Sequence, residues 1–217
     1  MNQKMNRRDF LTVTAAAGLG LNALPTGTLA GKGPGGKLNI ALIGVHGRGS
    51  RHWRNFKSEN VVALCDVHAD NLALAAKAFP GAKHYTDWRR CLEQDDIEAV
   101  VCCTPDHHHA FISIQAMNRG LHVYCEKPLG DSVEEARAVR EVYLKNRHRL
   151  ATQHGTQRHA FPNFDRVAEW VRGGAVGDLQ DVHAWGNRTH TMKAYRPAAG
   201  SPPDTVDWEQ WIGPAPM

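Results

Sequence analysis

Residues Leu38 to Ser50 read Leu-Asn-Ile-Ala-Leu-Ile-Gly-Val-His-Gly-Arg-Gly-Ser, an apolar run of strand length that ends abruptly in glycines. A strand that stops at a glycine-rich turn and feeds a helix is a phosphate site. Gly44, Gly47 and Gly49 let the backbone turn tightly and approach a ligand with no Cβ in the way. The helix that follows points free N–H groups and its positive dipole end at the same place. His46 and Arg48, between the glycines, join them as cofactor-binding candidates. The spacing is G-x-x-G-x-G instead of the commoner G-x-G-x-x-G, and glycines after an apolar run also form plain turns. Context favours the phosphate reading. A second apolar run, Asn60 to Cys65, ends in Asp66, 22 residues past Gly44, close to the spacing of a ribose-binding acid. A carboxylate there accepts from both ribose hydroxyls and repels a 2′-phosphate, which favours NAD over NADP. Asp66 could also cap a helix from Ala69 to Phe79, and the two roles are compatible.

A chain of 217 residues can bury a full core and suggests one domain plus something extra. Its formal charge is +4, and about half of that surplus lies in the first thirty residues. Basic and acidic residues are interspersed elsewhere, which leaves none of the electrostatic footprint that nucleic acid needs. The cysteines are Cys65, Cys91, Cys102, Cys103 and Cys125. They form no C-x-x-C pair, their number is odd, and adjacent Cys102 and Cys103 should face opposite sides of a strand. Small buried hydrophobes is the better reading than disulfides.

Met1 to Ala30 carries Arg7-Arg8-Asp-Phe-Leu, then an Ala/Gly/Leu segment, then Pro25 and Thr28-Leu29-Ala30. This resembles a twin-arginine (Tat) export signal, too short and too weakly apolar to remain as a membrane anchor. The resemblance implies a periplasmic or secreted protein.

From Leu38 onward, short apolar runs alternate with helical segments. Strands are expected at Val61–Cys65, Lys83–Thr86, Ala99–Cys103, Leu121–Cys125 and Leu150–Gln153. Helices are expected at 49–57, 69–79, 87–94 capped by Asp87, 106–119, and 132–147, the last with Ser132 and Glu135 as a capping box. This pattern predicts an α/β fold, a Rossmann-type doubly wound parallel sheet that binds ligand at the carboxyl ends of its strands. Phe161 to Arg172 reads as a further helix, and Asp178 to Arg188 as the first strand of an open sheet that begins an α+β substrate domain. The division is then 1–30 signal, 31–153 dinucleotide domain and 154–217 substrate domain.

Two motifs at strand ends go beyond any generic dinucleotide domain: Thr104-Pro105-Asp106-His107-His108-His109 and Cys125-Glu126-Lys127-Pro128-Leu129. They resemble the glucose-fructose oxidoreductase, inositol dehydrogenase and MocA (Gfo/Idh/MocA) family, whose most diagnostic motif is the Glu-Lys-Pro tripeptide. The resemblance implies an NAD-dependent oxidoreductase acting on a sugar or cyclitol. It puts Lys127 beside the nicotinamide, in contact with the substrate hydroxyl, where a cation stabilises a developing alkoxide. It places Thr104 and Pro105 under the nicotinamide half, His109 near cofactor or substrate, and Glu126 at the cofactor site. Pro128 follows Lys127 with either a cis or a trans bond.

The histidine run invites a metal reading. Consecutive helical positions face different directions, and no i, i+4 partner is in register, so no metal is expected. His107 and His108 read as exposed residues at a helix start. Gln157 and Arg158 are candidates for holding substrate hydroxyls, and Asn187, Arg188 and Thr189 for lining the pocket. Trp208 to Pro216 resembles the segment that opens the substrate region in secreted members. Members carry a larger second domain whose D-x-x-x-H-type motif supplies the partner of the lysine. The chain is therefore expected to be a piece of a longer protein, homo-oligomeric when whole. Two other functions stay open: an NAD-dependent glycosidase that oxidises C3 transiently, eliminates the aglycone and re-reduces, and a nucleotide-binding module without turnover. Export away from any nicotinamide pool implies a cofactor retained through the whole cycle.

Overall fold

The computed structural model describes residues 31, 33–156, 159, 161–185 and 200–214. Strand β1 (Asn39–Ile43) is buried at every position, as expected of a run of apolar residues covered on both faces. A 3-10 turn over Gly49–His52 leads into α1 (Trp53–Phe56), β2 (Asn60–Cys65), α2 (Ala69–Ala78), β3 (Lys83–Tyr85), α3 (Trp88–Leu92) and β4 (Ala99–Cys102). A second 3-10 turn, Asp106–His108, precedes α4 (His109–Asn118), β5 (His122–Glu126), α5 (Val133–Asn146) and β6 (Thr152–Gly155). The strands form one parallel sheet in the order β3-β2-β1-β4-β5-β6. The expected Rossmann-type doubly wound architecture is therefore what the chain adopts.

Alternation along β1 sorts the core into two layers. Ala41 and Ile43 face Ile112, Ala116 and Met117 of α4 and Val139 of α5. Ile40 and Leu42 face Ala75 and Phe79 on the other side. The pairing of β1 with β2 slips between Ile40 and Ala41, which lets Val61 and Leu64, three residues apart, face the same layer. Order reverses at β1, with β2 on one side and β4 on the other. The loops after these strands diverge there and leave a crevice at the carboxyl edge.

Helix starts follow local chemistry, with one change from expectation. Asp87 caps α3 by accepting from Arg89 N at 2.8 Å. Ser132 accepts from Glu135 N at 3.1 Å, while Glu135 reaches back to Asp131 N at 2.8 Å. The cap of α2 is His68, whose ring accepts from Asp70 N, and not Asp66.

Two compact units divide the chain: residues 1–155 with 203–217, and residues 156–202. The expected boundary after residue 153 falls two residues short of Gly155. The expected placement of this last stretch in the substrate domain does not hold for its described residues, 203–214, because Thr205, Val206 and Asp207 pair with the loop after β2. In the second unit, α6 (Pro162–Arg172) forms with Pro162 in its first turn. Residues 178–185 are exposed and form no strand, since a strand exists only by pairing and no neighbour is offered among the described residues. Residues 1–30, Gln157, Arg158 and 187–189 lie outside the described residues. No described helix is long and apolar enough to cross a membrane.

Candidate functional site

Ladder bonds carry β1 to the edge of the sheet: Gly44 N donates to Cys65 O and Cys103 N to Ile43 O, both at 2.8 Å. Gly44 has φ +80°, and a Cβ there would lie 2.6–2.7 Å from the Cys103 carbonyl and Thr104 N. Only glycine lets the loop turn this close to the neighbouring strand. Asp66 then holds the turn. Its Oδ2 accepts from Val45 N at 2.9 Å and its Oδ1 from His68 N at 3.0 Å. A carboxylate has about four lone-pair sites, so both oxygens keep capacity for further donors.

A cavity of about 380 Å³ opens between these loops, lined by Gly44, His46, Gly47, Asp66, Thr104 and Pro105 among others. Its size suits a small-molecule site. The residues fit a dinucleotide. At Gly47, φ +57°, nothing lies within 4 Å of where a Cβ would sit. Among the described residues, no protein acceptor takes the N–H of His46 or Gly47. These donors and Asp66 supply what a pyrophosphate and an adjoining ribose require.

A second carboxylate works beneath the loop. Glu126, 5% exposed, pairs with Arg48 Nε at 3.0 Å and His52 Nε2 at 2.9 Å, and accepts from the Tyr124 hydroxyl at 3.0 Å. Burial would push its carboxyl up, but His52, Arg48 and Tyr124 hold it below the ordinary value. Burial, then the Glu126 charge, raises the Tyr124 phenol. On β6, Gly155 gives Glu126 its room, since a Cβ there would lie 2.8–2.9 Å from the Glu126 Cα and carboxyl. Glu126 and Arg48 thus form a brace under the glycine turn, and neither is among the residues that line the cavity.

Lys127 lies on the other side. Neighbouring residues at a strand end face opposite ways, so burying Glu126 turns Lys127 outward, where it is exposed. The Lys127–Pro128 bond is cis.

The three histidines separate by role, and the expectation of an exposed His108 changes. His109, 1% exposed, does not line the cavity. Its Nδ1 lies 2.6 Å from Pro128 O and its Nε2 2.9 Å from Thr104 O. Carbonyls only accept, so each contact is a hydrogen bond when the ring nitrogen facing it carries the proton. The histidine thus bridges the Thr104 and Glu-Lys-Pro loops. Beside it, burial opposes the Cys102 thiolate, but the hydrogen bond from Cys125 and the charge of His109 bring its pKa down to about 7. Cys102, His109 and Cys125 bring their donor atoms within 4.8 Å of one another. A metal there would have to displace one of the carbonyl bonds. His108 is buried instead of exposed, and it lines the cavity. Both His107 and His108 donate from Nε2 to Trp211 O, at 2.8 and 3.1 Å. Burial lowers the His108 pKa, with the Trp211 carbonyl opposing.

Sequence reasoning missed several cavity residues: His68, Asn71, Trp88, His108, Trp208 and Trp211. The available signal was the spacing of Trp208 and Trp211, which puts both on one side of a helical turn behind the Asp207 cap.

Residues 38–154 match the model of the Gfo/Idh/MocA oxidoreductase family, NAD-binding Rossmann fold. The chain belongs to this family. Among curated relatives, the inositol 2-dehydrogenase of Salmonella typhimurium is 27% identical over 164 residues, 73% of this chain and 48% of the relative. A glycosyl hydrolase family 109 protein of Stenotrophomonas maltophilia is 29% identical over 97% of this chain and 48% of the relative. Among solved structures, scyllo-inositol dehydrogenase from Lactobacillus casei with bound cofactor NAD(H) and scyllo-inositol aligns with a TM-score of 0.60. It is 25% identical, covering 65% of this chain and 43% of that one. The chain spans about half the length of the curated relatives it matches.

Proposed function

We propose that the protein transfers hydride between NAD(H) and a hydroxyl of a sugar or cyclitol. The observation that carries this is the cavity at the sheet's carboxyl edge, which gathers glycine-turn donors and the Asp66 carboxylate in a chain of this family. NAD(H), when bound, supplies the hydride acceptor and donor. The N–H groups of His46 and Gly47 bind pyrophosphate oxygens, and Asp66 accepts from the ribose hydroxyls while remaining bonded to Val45 N. Thr104 and Pro105 support the nicotinamide end. Lys127 holds a proton at Nζ near the substrate oxygen and stabilises charge that develops there. Gln157 and Arg158 remain candidates for substrate hydroxyls. Titration of the chain with NAD and NADP tests the nucleotide half. NAD should bind more tightly, Asp66→Ala should weaken it about tenfold or more, and a preference for NADP would refute the role of Asp66.

The family 109 relative, matched over 97% of the chain, favours a second reading as an NAD-dependent glycosidase. Incubation of the whole protein with an aryl glycoside and no external acceptor separates the two, since only the glycosidase releases phenol. The Arg7-Arg8 segment supports export, and an exported enzyme keeps its cofactor through the cycle. Stoichiometric NAD(H) surviving dialysis of the exported protein is the expected result, and an apo protein that needs millimolar NAD would overturn it.

A further inference from the structure

Residues 203–214 lie along the loop that follows β2, directly beside Asp66. Ala69 N donates to Thr205 O at 2.8 Å and Asp207 N to Val67 O at 2.9 Å, with His68 and Val206 bridged between them. The strap continues through α7 (Trp208–Ile212). Gln210 there accepts from Arg89 at 2.8 Å, and the Trp211 carbonyl takes the two bonds from His107 and His108. Three separate stretches of the sheet edge thus hold a segment only twelve residues long. Nothing in the phosphate and ribose contacts requires it.

What it contributes to the cavity is aromatic surface. Trp208 and Trp211 both line it and stack on each other with ring centroids 4.8 Å apart and planes 4° apart. Trp88 lines the same cavity. The two rings are 42% and 39% exposed while lining a cavity, and a flat apolar ligand there would cover them. Chain geometry says which ligand. The glycine turn takes the pyrophosphate and Asp66 the adjoining ribose, and the base hangs from that same ribose. The strap's backbone is bonded to Val67 and Ala69, just past Asp66, which sets its tryptophans on the ribose side of the cavity, the side from which the base hangs.

We propose that Trp208 and Trp211 form the adenine subsite of the dinucleotide cavity, which makes the strap part of the cofactor site and not of the substrate region. The inference rests on the dinucleotide reading above. Base-aromatic stacking is sequence-tolerant and strong enough to change affinity by about ten- to one hundredfold per ring. Because the rings touch a part of the cofactor that hydride transfer leaves unchanged, they tighten both redox forms alike, as a retained cofactor requires.

The test is binding of NAD, ADP-ribose and nicotinamide mononucleotide to the chain and to its Trp208→Ala and Trp211→Ala variants, with Trp211→Phe as the conservative control. The expected result is a ten- to one hundredfold loss for NAD and ADP-ribose, no change for nicotinamide mononucleotide, and recovery of most of the loss by phenylalanine. A measurement on the unsubstituted chain covers the case in which the alanine variants do not fold. There, 5′-AMP should shift the indole N–H resonances of Trp208 and Trp211. Folded alanine variants that bind ADP-ribose normally, or resonances that move with inositol and not with 5′-AMP, would overturn the adenine subsite while leaving the dinucleotide reading intact. Failure of the unsubstituted chain to bind either NAD or ADP-ribose would overturn both.

Discussion

Asp66 and Glu126 both end an apolar strand at the same edge of the sheet, yet they are used in opposite ways. Asp66 is partly exposed and bonds only to backbone amides, Val45 N and His68 N, so its charge remains available to a ligand. Glu126 is buried among Arg48, His52 and Tyr124, and its charge is consumed within the protein. Burial and partners, not residue type or position after a strand, separate a carboxylate left open to a ligand from one used within the fold. The same division runs through adjacent residues: Lys127 is exposed because Glu126 is not, and His109 is locked between two loops while His107 and His108 hold the strap.

The largest expected effect lies on the exposed side of this contrast. Lys127→Ala in the whole protein should lower turnover about 10²-fold or more while leaving NAD affinity within a few-fold. Steady-state kinetics beside a cofactor titration would read both, and unchanged turnover would remove Lys127 from the chemistry. On the buried side, Glu126→Ala should destabilise the fold by about 3 kcal/mol, since it leaves the Arg48 guanidinium without its counter-charge and His52 and Tyr124 without their acceptor. Chemical denaturation measures this. If the variant is as stable as the parent, Glu126 is not a brace and the comparison with Asp66 collapses.

His109→Leu should cost about 2 kcal/mol by leaving the Thr104 and Pro128 carbonyls without donors, and amide exchange in both loops should rise together. Exchange that rises in one loop alone would mean the bridge is not continuous. The smallest effect is a pH dependence. The Glu126 carboxyl sits below its ordinary value in the folded protein, so the unfolded chain takes up a proton at higher pH than the folded one. Its stabilisation is therefore fully present above the ordinary carboxylate range near about pH 4.3 and is lost as pH falls through the lower folded value. Melting temperature should drop across that acid window, and Glu126→Gln should flatten the drop.

How far the sequence carried depended on the range of the interactions. The glycine turn, Asp66, the alternation of strands and helices, and the Asp87 and Ser132 caps were legible because each is decided within a few residues, by the freedom of glycine, period-two burial or a capping side chain. The Glu-Lys-Pro and Thr-Pro motifs were legible only through resemblance, and of them Thr104 and Pro105 line the cavity. The roles of Glu126, Arg48 and His109 were not legible, since each depends on partners far away in the chain: His52 lies 74 residues before Glu126, and Pro128 19 residues after His109. Residues 203–214 were assigned to the wrong unit for the same reason, because sequence order ranks them with their neighbours and backbone pairing at Val67 and Ala69 does not. The sequence by itself determined the parallel α/β sheet and the identity of the groups at its carboxyl edge. Only the tertiary structure decided which of those groups face the cavity, because that follows from which charges the packed sheet neutralises and which it leaves in contact with water.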